Sequence, residues 1–286
     1  MAEGKFNENT RVQVPAALHL VRLGYKYLAG IKDAEYNADT NILTEVFLRS
    51  IKRINPMLTD ADATNEYLNI VRILGNDDLG REFYNRLSSN SGIKLIDFDN
   101  PDNNEWNVTT EFTCEDSESG DSFRPDITCF VNGLPLAFIE VKKPNNAEGI
   151  LAEKDRIETR MKNKRFRKFI NVTQLMVFSN NQEYDHEKIV PIQGAFYATT
   201  SRNKVFFNVF READNELLLS CIKNGNDKLT AEDEKVVLTH RNCLPIKGSP
   251  EYQTNLGYNT PTNRILTSLL SKERFLYLLR YGMAII

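Results

Sequence analysis

Two apolar segments joined by an Asn-Gly pair constrain the fold of this chain more than any other feature. Residues 127–131 and 134–141 are almost entirely apolar, and Asn132-Gly133 lies between them. Asn-Gly is strongly preferred in two-residue hairpin turns because both positions need a positive φ angle. Two short apolar runs with this separation predict adjacent antiparallel strands. We therefore expect a buried β-sheet built around this hairpin.

Segments with helical spacing of apolar residues precede the hairpin. A first helix is predicted over about 11–23, with Gly24 as its stop signal. Further helical spacing occurs three times, at 40–55, 62–75 and 79–88. Residues 40–90 are therefore predicted to form a helical insertion after the first helix.

Strand patterns surround the hairpin on both sides. Alternating apolar residues predict a strand from Trp106 to Phe112, followed by a flexible acidic loop at 114–122. After the hairpin, the patterns predict a helix at 147–164, a strand at 172–179 and a strand pair at 194–200 and 204–210. This order is typical of an α/β or α+β fold with a central mixed sheet flanked by helices.

The segment after residue 210 has a different character. It is charged, and we expect it to be helical or irregular, so residues 211–286 are interpreted as a connecting region behind a first domain at 1–210. The last residues, 264–286, are strongly apolar without a polar tail. This pattern predicts that the chain is a fragment of a longer protein.

Composition excludes several classes of function. The net charge of −3 gives no global basic field, so any DNA contact must use a local patch. Four cysteines and three histidines are scattered, which argues against a zinc site and favours a reducing, cytoplasmic location. We expect no signal peptide, no membrane span and, without a phosphate-binding GxxxxGK[ST] motif, no ATP site in this chain.

One group of residues points to chemistry: Asp126 follows Pro125, thirteen residues separate Asp126 from Glu140, and Lys142 stands two positions after Glu140. An acid pair holds hard divalent cations such as Mg²⁺ through oxygen ligands. A bound metal polarises a phosphate, and a nearby lysine can position or deprotonate the attacking water. We therefore predict a metal-dependent nuclease site with Asp126, Glu140 and Lys142 as catalytic residues and the two acids as metal ligands.

This site depends on the register of the hairpin. A regular two-residue turn at Asn132-Gly133 pairs residue 126 with 139, which places Asp126 on the face opposite Glu140. A three-residue loop, or a bulge near Pro135, pairs 126 with 140 instead, and Pro135 favours a bulge because it cannot donate to the ladder. The site hypothesis therefore predicts an irregular hairpin.

Two alternative interpretations stay open. Glu-x-Lys alone is common at solvated strand ends, where it has only a structural role. A basic cluster near the end of the predicted site helix either contacts DNA phosphates or is a solvated helix end with cations near its dipole. The candidate DNA-binding residues are Lys143, Arg160, Lys162, Lys164, Arg165, Arg167 and Lys168.

The stretches FRPDITCFVNGLPLAFIEVKKPNN (123–146) and KFINVTQLMVFSNNQEY (168–184), with RVQVPAALHLVRLGYKYL at the start, resemble the N-terminal region of the restriction (R) subunit of type I restriction–modification enzymes. The resemblance covers most of residues 10–210. It implies a PD-(D/E)xK nuclease domain that cuts double-stranded DNA with Mg²⁺. It also implies partners, namely the modification and specificity subunits, and an ATP-dependent motor region absent from this chain.

The chain departs from the family pattern at two places. Arg156 and Arg160 stand where a Q-x-x-x-Y motif is often found, and Glu153 and Glu158 are the possible substitutes. The first helix offers Arg11, Gln13 and Pro15 where members carry an acidic residue. These departures leave open two other functions, a catalytically silent nuclease fold that serves as a DNA-binding or assembly module, and a stand-alone nuclease.

Overall fold

The computed structural model describes residues 7–31, 36–89, 91–115, 122–144, 149–187, 192–200, 204–209 and 229–282. Several sequence predictions fall outside these residues. They are most of the acidic loop at 114–122, residue 210, residues 211–228 with Cys221, and the last four residues of the chain.

A six-stranded mixed sheet lies at the centre of the fold. Its strands are β1 (Lys26–Tyr27), β4 (Trp106–Thr110), β7 (Ile127–Val131), β8 (Leu134–Val141), β9 (Leu175–Ser179) and β10 (Ala195–Ala198). They lie in the order β1-β4-β7-β8-β9-β10. Neighbours are antiparallel except for the pairs β1–β4 and β8–β9, which are parallel. Two-stranded ribbons are formed by β2 (Tyr36–Asn37) with β3 (Ile42–Leu43) and by β5 (Cys114–Glu115) with β6 (Ser122–Phe123).

Helices flank the sheet and account for the predicted insertion. A π-helical turn at Asn9–Gln13 leads into α1 (Val14–Arg22). The helices of the insertion are α2 (Thr44–Ile54), α3 (Asp60–Ile73) and α4 (Arg81–Ser88). After the hairpin come α5 (Gly149–Lys162), α6 (Arg167–Val172), α7 (Ala231–His240), α8 (Pro250–Asn255), α9 (Pro261–Leu270) and α10 (Lys272–Tyr277).

The sheet is buried on both faces. On one face Ile139 and Val177 pack with Leu18 of α1 in a large cluster, which we call the α1 core. On the other face Phe138 packs with Ile157 of α5 in a smaller cluster, which we call the α5 core. Since burial on both faces removes polar positions from the strands, β7 and β8 are almost continuously apolar.

The β7–β8 hairpin contains the predicted irregularity. Asn132 and Gly133 both have positive φ angles, 51° and 78°, as a two-residue turn of this type requires. Val131 pairs with Leu134 at the turn, and the register then shifts between Cys129 and Phe130. The prediction of a bulge near Pro135 is therefore confirmed.

Packing shows the effect of this bulge on the side chains of β8. Leu136 and Ala137 are consecutive, yet both lie in the α1 core. In a regular strand, successive side chains point to opposite faces. Beyond the bulge Ile127 pairs with Ile139, and continuing this register by one residue places Asp126 opposite Glu140. The two acids therefore share the face covered by α5.

The helices after residue 229 pack directly on the first helix. The His19 imidazole of α1 bonds the Thr267 hydroxyl of α9 at 2.6 Å, and burial lowers the pKa of His19 to about 3. The Tyr25 hydroxyl donates to the carbonyl of Leu270 at 2.9 Å. Residues of α7, α9 and α10 thus belong to the α1 core.

Two predicted strands differ from the structure. The predicted strand at 172–179 begins only at Leu175, because residues 167–172 form α6. The predicted partner strand at 204–210 is wrong over its described residues, since Asn208 makes only an isolated bridge with Tyr197. The first error comes from an apolar segment whose spacing is compatible with a helix or a strand. Among the described residues, no helix is both long and apolar enough to cross a membrane.

Candidate active site

Asp126 lies immediately before β7 and is held through its backbone and its side chain. Its carbonyl accepts the Gln13 side chain at 2.8 Å and the Glu111 amide at 3.0 Å. Its Oδ2 accepts the backbone amide of Val141 at 2.8 Å, which ties the carboxylate to the end of β8. Burial raises the pKa of Asp126 to about 6, against the lowering effect of Lys142. These bonds fix the position of the Asp126 carboxylate, and burial makes its charged form unfavourable.

Glu140 lies on β8 and is 5% exposed. Its Oε1 is buried and has no hydrogen-bond partner among the described residues. Burial raises the pKa of Glu140 well above its ordinary value, and the nearby carboxylates of Asp126 and Glu153 raise it further. A buried carboxylate oxygen without a donor is unusual, because such groups are normally paired or bound to a metal.

Lys142 follows β8 and extends into a group of carboxylates. Its Nζ lies 3.4 Å from Glu8 Oε1, 3.4 Å from Glu153 Oε2 and 4.0 Å from Asp126 Oδ2. Burial alone would lower the pKa of Lys142, but the surrounding carboxylates, with Asp126 the largest contributor, raise it. The structure therefore brings Asp126, Glu140 and Lys142 together at one end of the hairpin.

Two further acids belong to this site. Glu153 of α5 is 3% exposed and is one of the two predicted substitutes; the other, Glu158, accepts the Val205 amide at 3.1 Å instead. Glu8 is not among the predicted site residues, because the acid was expected within the first helix, whereas Glu8 stands just before the π-helical turn. Its Oε2 also accepts the Lys143 amide at 3.2 Å. An acidic residue upstream of the first apolar position was the available signal.

The positions of the absent Q-x-x-x-Y motif carry cations that contact Glu153. Arg156 Nη1 lies 3.0 Å from Glu153 Oε2, and Arg160 Nη1 lies 3.7 Å from Oε1. The Arg160 guanidinium also lies 4.2 Å from the centre of the Phe123 ring. Helix α5 thus presents a buried acid compensated by its own arginines and by Lys142.

The donor set fits a hard divalent cation. Among the described residues, no group of three or more Asp, Glu, His or Cys side chains is arranged so that it could hold a metal ion by itself. Mg²⁺ does not need one, since it is usually held by one or two carboxylates, waters and substrate phosphates. The pair of Asp126 and Glu140 supplies two carboxylates, one with an unsatisfied buried oxygen. A cation there would relieve both the burial cost and the mutual repulsion of the acids.

The predicted basic cluster divides into two groups. Lys162 and Lys164 at the end of α5 are exposed, as is Lys143 beside the site. Arg167 pairs with Asp77 at 2.9 Å and Lys168 with Asp39 at 3.5 Å, and both partners are surface carboxylates. The DNA contact of this cluster stays a prediction.

Comparison with known proteins identifies the family. The model of the type I restriction enzyme R protein N terminus matches residues 5–186, more than half of the chain. A relative from Methanocaldococcus jannaschii, named "Putative type I restriction enzyme MjaIXP endonuclease subunit", is 32% identical over 201 residues. That alignment covers 63% of this chain and 19% of the relative, so the chain spans about a fifth of the relative's length. The chain belongs to the family of type I restriction enzyme R protein N-terminal regions.

Proposed function

We propose that this chain is the endonuclease domain of a type I restriction enzyme R subunit. It hydrolyses phosphodiester bonds of double-stranded DNA with Mg²⁺ at a PD-(D/E)xK site formed by Asp126, Glu140 and Lys142. The observation that carries the proposal is the β-bulge, since it puts both acids on one face beside the lysine. The family membership and the M. jannaschii relative support the same activity.

Each residue has a role that follows from its contacts. Asp126 and Glu140 would hold the metal, and such an ion would polarise the scissile phosphate and make the attacking water easier to deprotonate. Val141 fixes the carboxylate of Asp126 through its amide. The Lys142 ammonium, beside Asp126 and Glu153, donates hydrogen bonds that would position the attacking water and the scissile phosphate. Glu8 and Glu153 orient Lys142.

The proposed setting is a larger complex in the cytoplasm. Cleavage would be coupled to ATP-dependent DNA translocation by a motor region outside this chain, with modification and specificity subunits as partners. Lys143, Arg160, Lys162, Lys164, Arg165, Arg167 and Lys168 are the proposed DNA contacts. This arrangement places the choice of DNA sequence outside the chain.

Cleavage of a covalently closed plasmid by the complete complex, with Mg²⁺ and ATP, tests the proposal. We expect Asp126→Asn to lower the cleavage rate at least about 100-fold, because loss of residues behind a metal ligand alone costs 10–100-fold. ATP hydrolysis should persist. The matched control is Asp155→Asn, an exposed position on α5, which should cleave at the wild-type rate.

Unchanged cleavage by Asp126→Asn would refute the site. A complex that translocates DNA but never cuts it, in wild type and variants alike, would favour the silent DNA-binding or assembly module.

A further inference from the structure

Arg241 connects the C-terminal part of the chain to the candidate active site. It follows α7 and lies outside residues 5–186, the part that the family model matches. Its guanidinium donates to Asn9 Oδ1 at 3.0 and 3.1 Å and to Gln13 Oε1 at 3.0 Å, and it pairs with the Glu111 carboxylate. One largely buried side chain thus binds two separate segments of the polypeptide.

Two of these partners hold the backbone of Asp126. The Gln13 amide donates to the Asp126 carbonyl at 2.8 Å, and the Glu111 backbone amide donates to the same oxygen at 3.0 Å. Glu111 has a φ of 52°, a left-handed conformation that is uncommon outside glycine and persists only when its surroundings impose it. Arg241 therefore orders both groups that fix the carbonyl of a proposed metal ligand.

The third partner connects Arg241 to Lys142. Asn9 is adjacent to Glu8, whose carboxylate contacts Lys142 Nζ at 3.4 Å and the Lys143 amide at 3.2 Å. The bond from Arg241 to Asn9 therefore fixes the turn that carries Glu8. Through one planar guanidinium, Arg241 thus contacts the residues that hold Asp126 and the turn that holds Lys142.

We propose that Arg241 is a positioning residue that sets the geometry of the Asp126–Glu140 metal site, so that the segment after residue 229 is part of the nuclease. This inference rests on the proposed function. A planar guanidinium with several fixed donors can bridge Asn9, Gln13 and Glu111 at once, whereas a lysine ammonium lacks that geometry. The Arg241 side chain is only 13% exposed, so water competes little for its hydrogen bonds.

The test is a titration of the 286-residue chain with Mn²⁺, in which electron paramagnetic resonance measures the concentration of the free ion. We expect Arg241→Met to raise the dissociation constant about tenfold, as loss of groups behind metal ligands does. Arg264→Met is the matched control, because Arg264 is also little exposed and also pairs with a carboxylate distant in sequence, that of Glu183. It should bind Mn²⁺ like wild type.

Thermal melting checks that the variants fold. If Arg241→Met does not fold, Gln13→Met replaces it as the test. This variant removes only the hydrogen-bonded connection from Arg241 through Gln13 to the Asp126 carbonyl, and it should raise the Mn²⁺ dissociation constant by a similar factor. Wild-type Mn²⁺ affinity in a folded Arg241→Met, or in Gln13→Met, would overturn the positioning role. Asp126→Asn separates the two claims: unchanged Mn²⁺ binding in that variant refutes the metal site itself, whereas weakened binding there leaves only Arg241 in question.

Discussion

Replacing Lys142 by methionine should abolish plasmid cleavage by the complete restriction complex. Methionine keeps the length and apolar stem of the side chain but removes the ammonium between Asp126, Glu8 and Glu153. Positioned proton-transfer and charged groups contribute about 10²–10⁴-fold to rates. We expect a loss of at least about 100-fold, with ATP hydrolysis retained.

The control for this variant is Lys247→Met. Lys247 also pairs with a carboxylate, Glu234 at 2.7 Å, but this partner lies on α7 and is not one of the acids around Lys142. It should cleave like wild type. Cleavage by Lys142→Met within about threefold of wild type would remove this residue from the catalytic machinery, since positioned catalytic groups contribute at least about a hundredfold.

The second large effect concerns stability. A Cβ at Gly133 would lie 2.6 Å from the Leu43 carbonyl oxygen and 2.8 Å from the Phe47 amide nitrogen, both backbone atoms that cannot move away cheaply. The φ of 78° adds strain for any side chain. Strain and overpacking each cost about 1–3 kcal/mol, so Gly133→Ala should lower the free energy of unfolding by about 2–5 kcal/mol.

Urea denaturation measures this loss against a matched glycine. Gly92 has a φ of 75° and nothing within 4 Å of an added Cβ, so Gly92→Ala carries the backbone strain alone. We expect Gly92→Ala to cost about 1–2 kcal/mol, the cost of a left-handed conformation for a residue with a Cβ. Equal midpoints for the two variants would show that the close contact at the hairpin tip is unimportant. A much larger loss at Gly133 supports the packing of the tip against β3 and α2.

The hairpin was predictable because its determinants are local. Asn132-Gly133 specifies the turn, and Pro135 removes a donor where the bulge follows. A regular turn at Asn132-Gly133 would pair residue 126 with 139, so the site required a bulge near Pro135, and the observed register contains that bulge. Local sequence alone left both registers open, although a one-residue slip exchanges the faces of every side chain in the strand.

The rest of the site depends on contacts between distant segments. Glu8 reaches Lys142 across 134 residues, and Arg241 reaches Asn9 across 232. Spacing in one sequence carries no signal for such pairs. The same limitation affected the segment before β9, where α6 packs against α4 and β8 and its apolar residues fit helix and strand equally.

A crystal of the 286-residue chain with DNA and Mn²⁺, measured at the manganese absorption edge, tests most directly whether Asp126 and Glu140 share a metal. We expect an anomalous peak at a coordination distance of about 2.1 Å, typical of small divalent cations, from an oxygen of each carboxylate. We also expect Glu140 Oε1, which has no donor among the described residues, to contact that ion or its water. A peak at other residues, or no peak between the two carboxylates at saturating Mn²⁺, would contradict it.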